Sequence, residues 1–248
     1  MLSSQDHIRP ALCVEGKVVT ADNHLQAFQQ LTETQKDSDL VSGFFDEDSQ
    51  EFQADQDKDH FYDKEIFLVR HAETKASEDP DPDISDQGVE QVRQLAECFS
   101  ARKVDDYIGI ASPLLRCLHT ADILRELLGI SFKIMPQVIE TPSFLMEDEG
   151  FFVKSRKADY PKFGWPDEKG WDFKYEKQDS FQQRVEDTLK HLPSRCIVVT
   201  HYGYICMMAR LALCDDKAKR LITQGVPPAS VTFINRQSVE RLGCNASS

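Results

Sequence analysis

The chain has 248 residues, of which 40% are hydrophobic, so it is long enough to bury the core of one sizeable domain. Its formal net charge of −13 disfavours nucleic acid and anionic membranes as partners, because both require a basic surface. The first ten residues lack the basic and apolar regions of a signal peptide, and no apolar run approaches the ~20 residues that span a bilayer. We therefore expect a soluble protein of the cytoplasm.

The first quarter of the chain differs from the rest in composition. Residues 1–62 contain 13 acidic and four basic side chains. Residues 11–31 favour a short pair of strands followed by a helix, whereas residues 44–63 are acidic and glutamine-rich, as in a spacer. Alternatively, this stretch docks on the domain or on a partner through Phe44, Phe45, Phe52 and Phe61. We predict a partly ordered extension over residues 1–62 and a globular domain over residues 63–248.

From residue 65 onwards, short apolar runs alternate with segments of helical period. The predicted strands cover residues 65–69, 107–112, 132–135, 196–200 and 230–234. The predicted helices cover residues 85–102, 113–129, 179–192 and 202–214. This alternation predicts an α/β fold with three layers, in which helices cover both faces of a mainly parallel central sheet. Ligands of such folds bind outside the carboxyl ends of the strands.

Motifs for several common cofactors are missing from the sequence. It contains no G-x-x-x-x-G-K-[ST], no G-x-G-x-x-G and no H-E-x-x-H. The seven cysteines form no C-x-x-C pair and show no metal-ligand spacing with histidine, which favours buried, reduced thiols. We expect no cofactor and no metal.

Four blocks at strand ends or helix starts carry side chains suited to a phosphate. They are "LVRHAET", "ASPLLRCLHTA", "MPQVIE" and "IVVTHYG", which contribute Arg70, His71, Thr74, Arg116, Glu140 and His201. A helix starting at Ser112-Pro113 would place Arg116 in its first turn, where the guanidinium and the helix dipole both favour an anion.

This set of residues fits one reaction in particular. A neutral imidazole at His71 can attack phosphorus, while two guanidinium groups and a second imidazole at His201 stabilise the phosphoryl oxygens. A protonated Glu140 can give its proton to the leaving oxygen and later, as a carboxylate, activate water. Glu147, Asp148 and Glu149 are alternative donors, and Thr74 either binds phosphate or caps the following turn.

The blocks resemble those of the histidine phosphatase superfamily, the phosphoglycerate mutase-like branch. "RHAET" is similar to its R-H-G-E-T signature, with Ala72 at the glycine, and "SPLLRCLHTA" to its S-P-L-x-R-x-x-x-T-A. "DISDQGVEQVRQLA" resembles the start of the family's next helix, and the likeness runs in order from about residue 65 to 240. It implies that His71 is phosphorylated, that Arg70, Arg116 and His201 bind phosphate, and that Glu140 is the acid and base.

Residues 144–175 form an insertion with nine aromatic side chains, which the family architecture places over the pocket. We interpret it either as a loop-rich lid or as a well-packed excursion with a solvated basic edge. Its cations could attract a second anionic group of the substrate: Lys154, Arg156, Lys157, Lys162 and Lys169.

Three functions remain open at this stage. We expect a phosphatase that acts on a phosphorylated small molecule or a phosphoprotein. The alternatives are a phosphoglycerate-type mutase, which needs a phosphorylated primer, and a catalytically weak phospho-ligand-binding or scaffold protein. The sequence does not fix the oligomeric state.

Overall fold

The computed structural model describes residues 12–14, 17–19, 64–141, 151–167, 169–174, 176–212, 225–235 and 239–242. The chain divides into two compact units, Met1–Gln50 with Asn245–Ser248, and Glu51–Cys244. In the first unit, β1 (Leu12–Val14) pairs antiparallel with β2 (Lys17–Val19), as the sequence indicates. The predicted helix that follows, the acidic spacer and its four phenylalanines lie outside the described residues. The predicted boundary at residue 62 stays a prediction.

The second unit is built around a six-stranded sheet. Its strands are β3 (Glu65–Arg70), β4 (Ile108–Ala111), β5 (Phe132–Ile134), β8 (Arg195–Thr200), β9 (Val231–Ile234) and β10 (Val239–Leu242). They are ordered β10-β9-β3-β8-β4-β5. The four strands from β3 to β5 in this order are parallel, whereas β9 runs antiparallel to both of its neighbours. The predicted α/β class and mainly parallel sheet are confirmed.

Four described α-helices cover the sheet: α1 (Asp86–Ala101), α2 (Leu115–Leu128), α3 (Gln178–His191) and α4 (Tyr202–Ala212). Helix α1 packs on α2, and α3 packs on α4. Side chains alternate along β3, so that Phe67 and Val69 join the core beneath α1 and α2, while Ile66 and Leu68 are buried on the opposite face. The side chains on both faces of this strand are therefore buried, as its unbroken apolar run predicts. Among the described residues, no helix is long and apolar enough to cross a membrane.

The loop after β3 is tied to the start of α1. The Ser85 hydroxyl caps the helix by accepting from the backbone N–H of Gly88 (3.0 Å), and it donates to the Glu73 carboxylate (2.9 Å). The side-chain oxygen of Gln91 accepts from the backbone N–H of Glu73 (3.0 Å). A Cβ at Gly88 would lie 2.3 Å from the carbonyl oxygen of Glu73, so a larger residue would push this loop away. These contacts fix the position of the chain just beyond Arg70-His71.

Part of the aromatic insertion forms regular secondary structure. It contains a hairpin of β6 (Phe151–Lys154) and β7 (Gly170–Phe173), which the loop-rich prediction did not include. Val153, with the half-buried rings of Trp171 and Phe173, packs on the buried side chains of Leu114 and Ile139. Farther along, Gly164 exchanges backbone hydrogen bonds with edge strand β5 (2.9 and 3.0 Å). The described part of the insertion is therefore anchored to the domain at two places.

Candidate active site

Two histidines follow the paired ends of two parallel strands. Arg70 is the last residue of β3 and lies opposite Thr200, the last residue of β8. The backbone N–H of His71 donates to the carbonyl of Thr200 (2.9 Å), which aligns the two chains beyond the ladder. The ring centroids of His71 and His201 consequently lie 5.3 Å apart. The register of β3 and β8 thus brings both predicted imidazoles into one site.

The tautomer of His71 follows from its neighbour. Its Nδ1 lies 2.9 Å from the carbonyl oxygen of Ala72, and since a carbonyl can only accept, Nδ1 carries the proton. Burial, followed by the charges of Arg116 and Arg70, holds the pKa of His71 well below its usual value of 6.5. The ring is therefore neutral at pH 7, with the lone pair on Nε2.

His201 is fully buried beside a hydroxyl and a thiol. Its Nε2 lies 2.8 Å from Ser112 Oγ, in hydrogen-bond distance, and 3.4 Å from Cys117 Sγ. Its pKa is also held well below 6.5, first by burial and then by the positive charge of Arg116. Ser112 orients this ring, whereas the sequence indicated Ser112 only as the start of a helix.

The Arg70 guanidinium is held from two sides. Nη1 donates to the carbonyl of Val226 (2.6 Å), and the guanidinium carbon lies 5.4 Å from the ring centroid of Tyr202, a cation–π distance. Neither partner was predicted. Val226 contributes only its backbone and lies 156 residues after Arg70 in the sequence.

Asp81 is a site residue that the sequence analysis missed. Its Oδ1 accepts from the backbone N–H of Leu115 (2.7 Å), which caps α2, and lies 3.5 Å from Nη1 of Arg116. Its Oδ2 lies 3.5 Å from Nη2 of Arg156, in the insertion. Helix α2 thus begins at Leu115, two residues later than predicted, and still has Arg116 in its first turn. The carboxylate links the predicted phosphate pocket to the insertion.

Glu140 lies next to the start of α4 and is 8% exposed. Its two carboxyl oxygens accept from the backbone N–H groups of Thr141 (3.0 Å) and Gly203 (3.1 Å). Burial raises the pKa of Glu140, although both N–H groups and the two arginines act in the other direction. The protonated form that proton donation requires therefore persists to higher pH than in an exposed glutamate.

A family model described as the histidine phosphatase superfamily (branch 1) matches residues 66–241. The chain belongs to this superfamily. No curated protein matches it. The solved structure of the ecdysone phosphate phosphatase from Bombyx mori, in complex with tungstate, is 17% identical, with a TM-score of 0.51, and the match covers 75% of this chain and 95% of that one.

Two further solved structures show lower structural similarity. A mycobacterial glucosyl-3-phosphoglycerate phosphatase is 17% identical, with a TM-score of 0.46, over 72% of this chain and 96% of its own. The phosphoglycerate mutase from Thermus thermophilus is 24% identical, with a TM-score of 0.44, over 72% and 98%. Of these three structures, only the ecdysone phosphate phosphatase has a TM-score above 0.5, and at 17% identity that likeness concerns the fold alone.

Within this histidine phosphatase fold, the predicted residues have different surroundings. The charges of Arg70 and Arg116 lower the pKa of both His71 and Glu140, and the ring of His71 lies beside that of His201. Thr74 is partly exposed, and its backbone forms an isolated bridge with Ile84. The alternative donors Glu147, Asp148 and Glu149 lie outside the described residues. The chemical role of each residue stays a prediction.

We expect Asp81→Ala to lower the free energy of unfolding by about 1–3 kcal/mol, because it removes the cap of α2 and leaves Arg116 without its carboxylate partner. Asp81→Asn should lower the free energy of unfolding by less, since the amide oxygen can still accept from the Leu115 N–H. Urea unfolding of the two variants tests this. Equal losses for Asn and Ala would show that the cap contributes nothing.

Proposed function

We propose that this protein hydrolyses a phosphomonoester through a phosphohistidine intermediate on His71. The observation that carries the proposal is the state of His71, a neutral imidazole whose Nδ1–H is bound by Ala72 and whose Nε2 lone pair is left for attack. A binding protein would have no need of such a nucleophile. The substrate is a phosphorylated small molecule or a phosphoprotein.

In the first step, Nε2 of His71 attacks phosphorus while the bond from phosphorus to the ester oxygen breaks. The guanidinium groups of Arg70 and Arg116 balance the charge of the phosphoryl oxygens, with His201 as a further ligand. Protonated Glu140 gives its proton to the departing oxygen, which leaves as an alcohol. The buried position of Glu140 supports this role, since burial favours the protonated acid.

In the second step, the carboxylate of Glu140 accepts a proton from water, and the oxygen of that water attacks phosphorus. The bond from phosphorus to Nε2 breaks, which releases inorganic phosphate and the neutral ring of His71. Glu140 ends the cycle protonated, as it began. One ester and one water molecule become one alcohol and one phosphate.

The test is phosphate release by the full-length protein between pH 5 and 7.5, from a panel of aryl phosphates, alkyl phosphates, sugar phosphates and phosphopeptides. We expect release from at least one class, with one oxygen of each phosphate derived from ¹⁸O-labelled water. Isomerised ester without label in the phosphate would indicate a mutase. A folded protein that binds phosphate but turns over no member of the panel would contradict the proposal.

A further inference from the structure

The segment that carries Glu140 is held by its backbone carbonyls. Nη1 of Arg184, on α3, donates to the carbonyls of Gln137 (2.5 Å) and Ile139 (3.1 Å). Between these two, the carbonyl of Val138 accepts from the hydroxyl of Thr200 (2.5 Å). Three successive carbonyls just before Glu140 are therefore fixed by two side chains.

Arg184 is itself fixed by an acidic partner. Its Nε donates to Glu176 Oε2 (3.1 Å), and its Nη2 donates to Glu176 Oε1, a fork in which both carboxylate oxygens are used. The two side chains are 17% and 14% exposed, so water screens this pair only weakly. The guanidinium carbon also lies 4.9 Å from the ring centroid of Phe181. Such a guanidinium has little freedom to turn.

We propose that Arg184, oriented by Glu176, is a positioning residue for the proton donor Glu140. It contacts the peptide chain before Glu140 rather than the carboxyl group. Because the Glu140 side chain extends from this chain to the N–H groups of Thr141 and Gly203, a shift of the segment would move the acid away from the leaving oxygen. The proposal rests on the function proposed above, in which Glu140 protonates that oxygen.

A displaced proton donor has a recognisable kinetic effect. An alkyl ester releases a strongly basic oxygen that needs a proton as it leaves, whereas a nitrophenyl ester releases a weakly basic one that can leave without a proton. Loss of positioning should therefore lower kcat/KM more for alkyl phosphates than for nitrophenyl phosphate. A general loss of folded protein would lower kcat/KM equally for both.

The experiment compares kcat/KM for p-nitrophenyl phosphate and for the best alkyl phosphate of the panel in Arg184→Met and Arg184→Lys. In Arg184→Met, we expect kcat/KM to fall at least 10-fold more for the alkyl ester than for the nitrophenyl ester. This difference should be smaller in Arg184→Lys, which keeps the charge without the fork. Arg125→Met is the matched control, because Arg125 pairs with Asp122 through Nε and Nη2 on α2. The control should show no difference between the two esters.

Two further results separate this proposal from the function on which it rests. In a Glu140→Gln background, Arg184→Met should add no further difference between the esters, since the donor is already lost. Independently of turnover, the amide of Gly203, which donates to Glu140, should exchange with solvent faster in Arg184→Met but not in Arg125→Met.

Equal losses of kcat/KM for both esters, or unchanged exchange at Gly203, would overturn the proposal. A wild-type protein without phosphatase activity would overturn the proposed function, while the exchange result would still test the positioning.

Discussion

Replacement of His71 by alanine is expected to lower kcat/KM for every substrate by about 10⁴-fold, which leaves only the catalysis that binding alone provides. The reason is that, in the proposed mechanism, Nε2 of His71 forms the bond to phosphorus, and no other described group is assigned to this attack. Steady-state phosphate release from the most active member of the panel measures this loss. The same sample should fail to acquire label from a ³²P-labelled ester.

The control for this variant is His191→Ala. The Nδ1–H of His191 donates to the carbonyl of Asp187 (2.7 Å) near the end of α3, and the side chain is exposed, so its loss should leave turnover unchanged. Circular dichroism and thermal unfolding verify that both variants are folded. Turnover that survives in folded His71→Ala would show that another group attacks phosphorus.

Replacement of Glu140 by glutamine is expected to lower kcat for alkyl phosphates by about 10²–10⁴-fold, the usual contribution of a general acid and base. For p-nitrophenyl phosphate, the first step needs no proton, so phosphorylation of His71 should stay fast while attack by water becomes slow. The expected result is a burst of one nitrophenolate per enzyme, followed by slow turnover. Stopped-flow absorbance measures the burst and the slow phase separately.

Glu126→Gln is the control, because Glu126 is an exposed residue of α2, paired with Arg125. Its rates should equal those of the wild type. If Glu140→Gln turned over alkyl phosphates at the wild-type rate, the donor would be another acid, and the acids of residues 147–149 would be the first to replace.

The parallel core of the fold could be predicted because its strands are apolar on both faces. The runs at residues 65–69 and 196–200 became β3 and β8, and their pairing placed His71 beside His201. Strand β10, at the edge of the sheet, was missed because "VERL" has two adjacent charged residues between its apolar ones and lies in a stretch without an apolar run. Hairpin β6–β7 was missed because its strands are separated by a long segment that contains one glycine and two prolines.

The predicted site residues are those that a short motif contains, whereas the missed residues act across long separations. Asp81 caps a helix that starts 34 residues later, and Arg184 holds a carbonyl 45 residues earlier. Neither contact leaves a period or a local signature in the sequence. Residues that orient the site could therefore be identified only from the tertiary structure. The residues assigned to the chemistry could be identified from the sequence.

The hydrogen bond from His71 Nδ1 to the Ala72 carbonyl has a regiochemical consequence. A phosphoryl group on this ring can bond only to the distal nitrogen, which gives the tele isomer of a phosphoramidate. The proximal nitrogen keeps its proton throughout, so the phosphorylated ring would carry a positive charge that it loses only when the bond from Nε2 to phosphorus breaks. In the proposed mechanism, the backbone of a single neighbouring residue would thus select which of two isomeric adducts is formed.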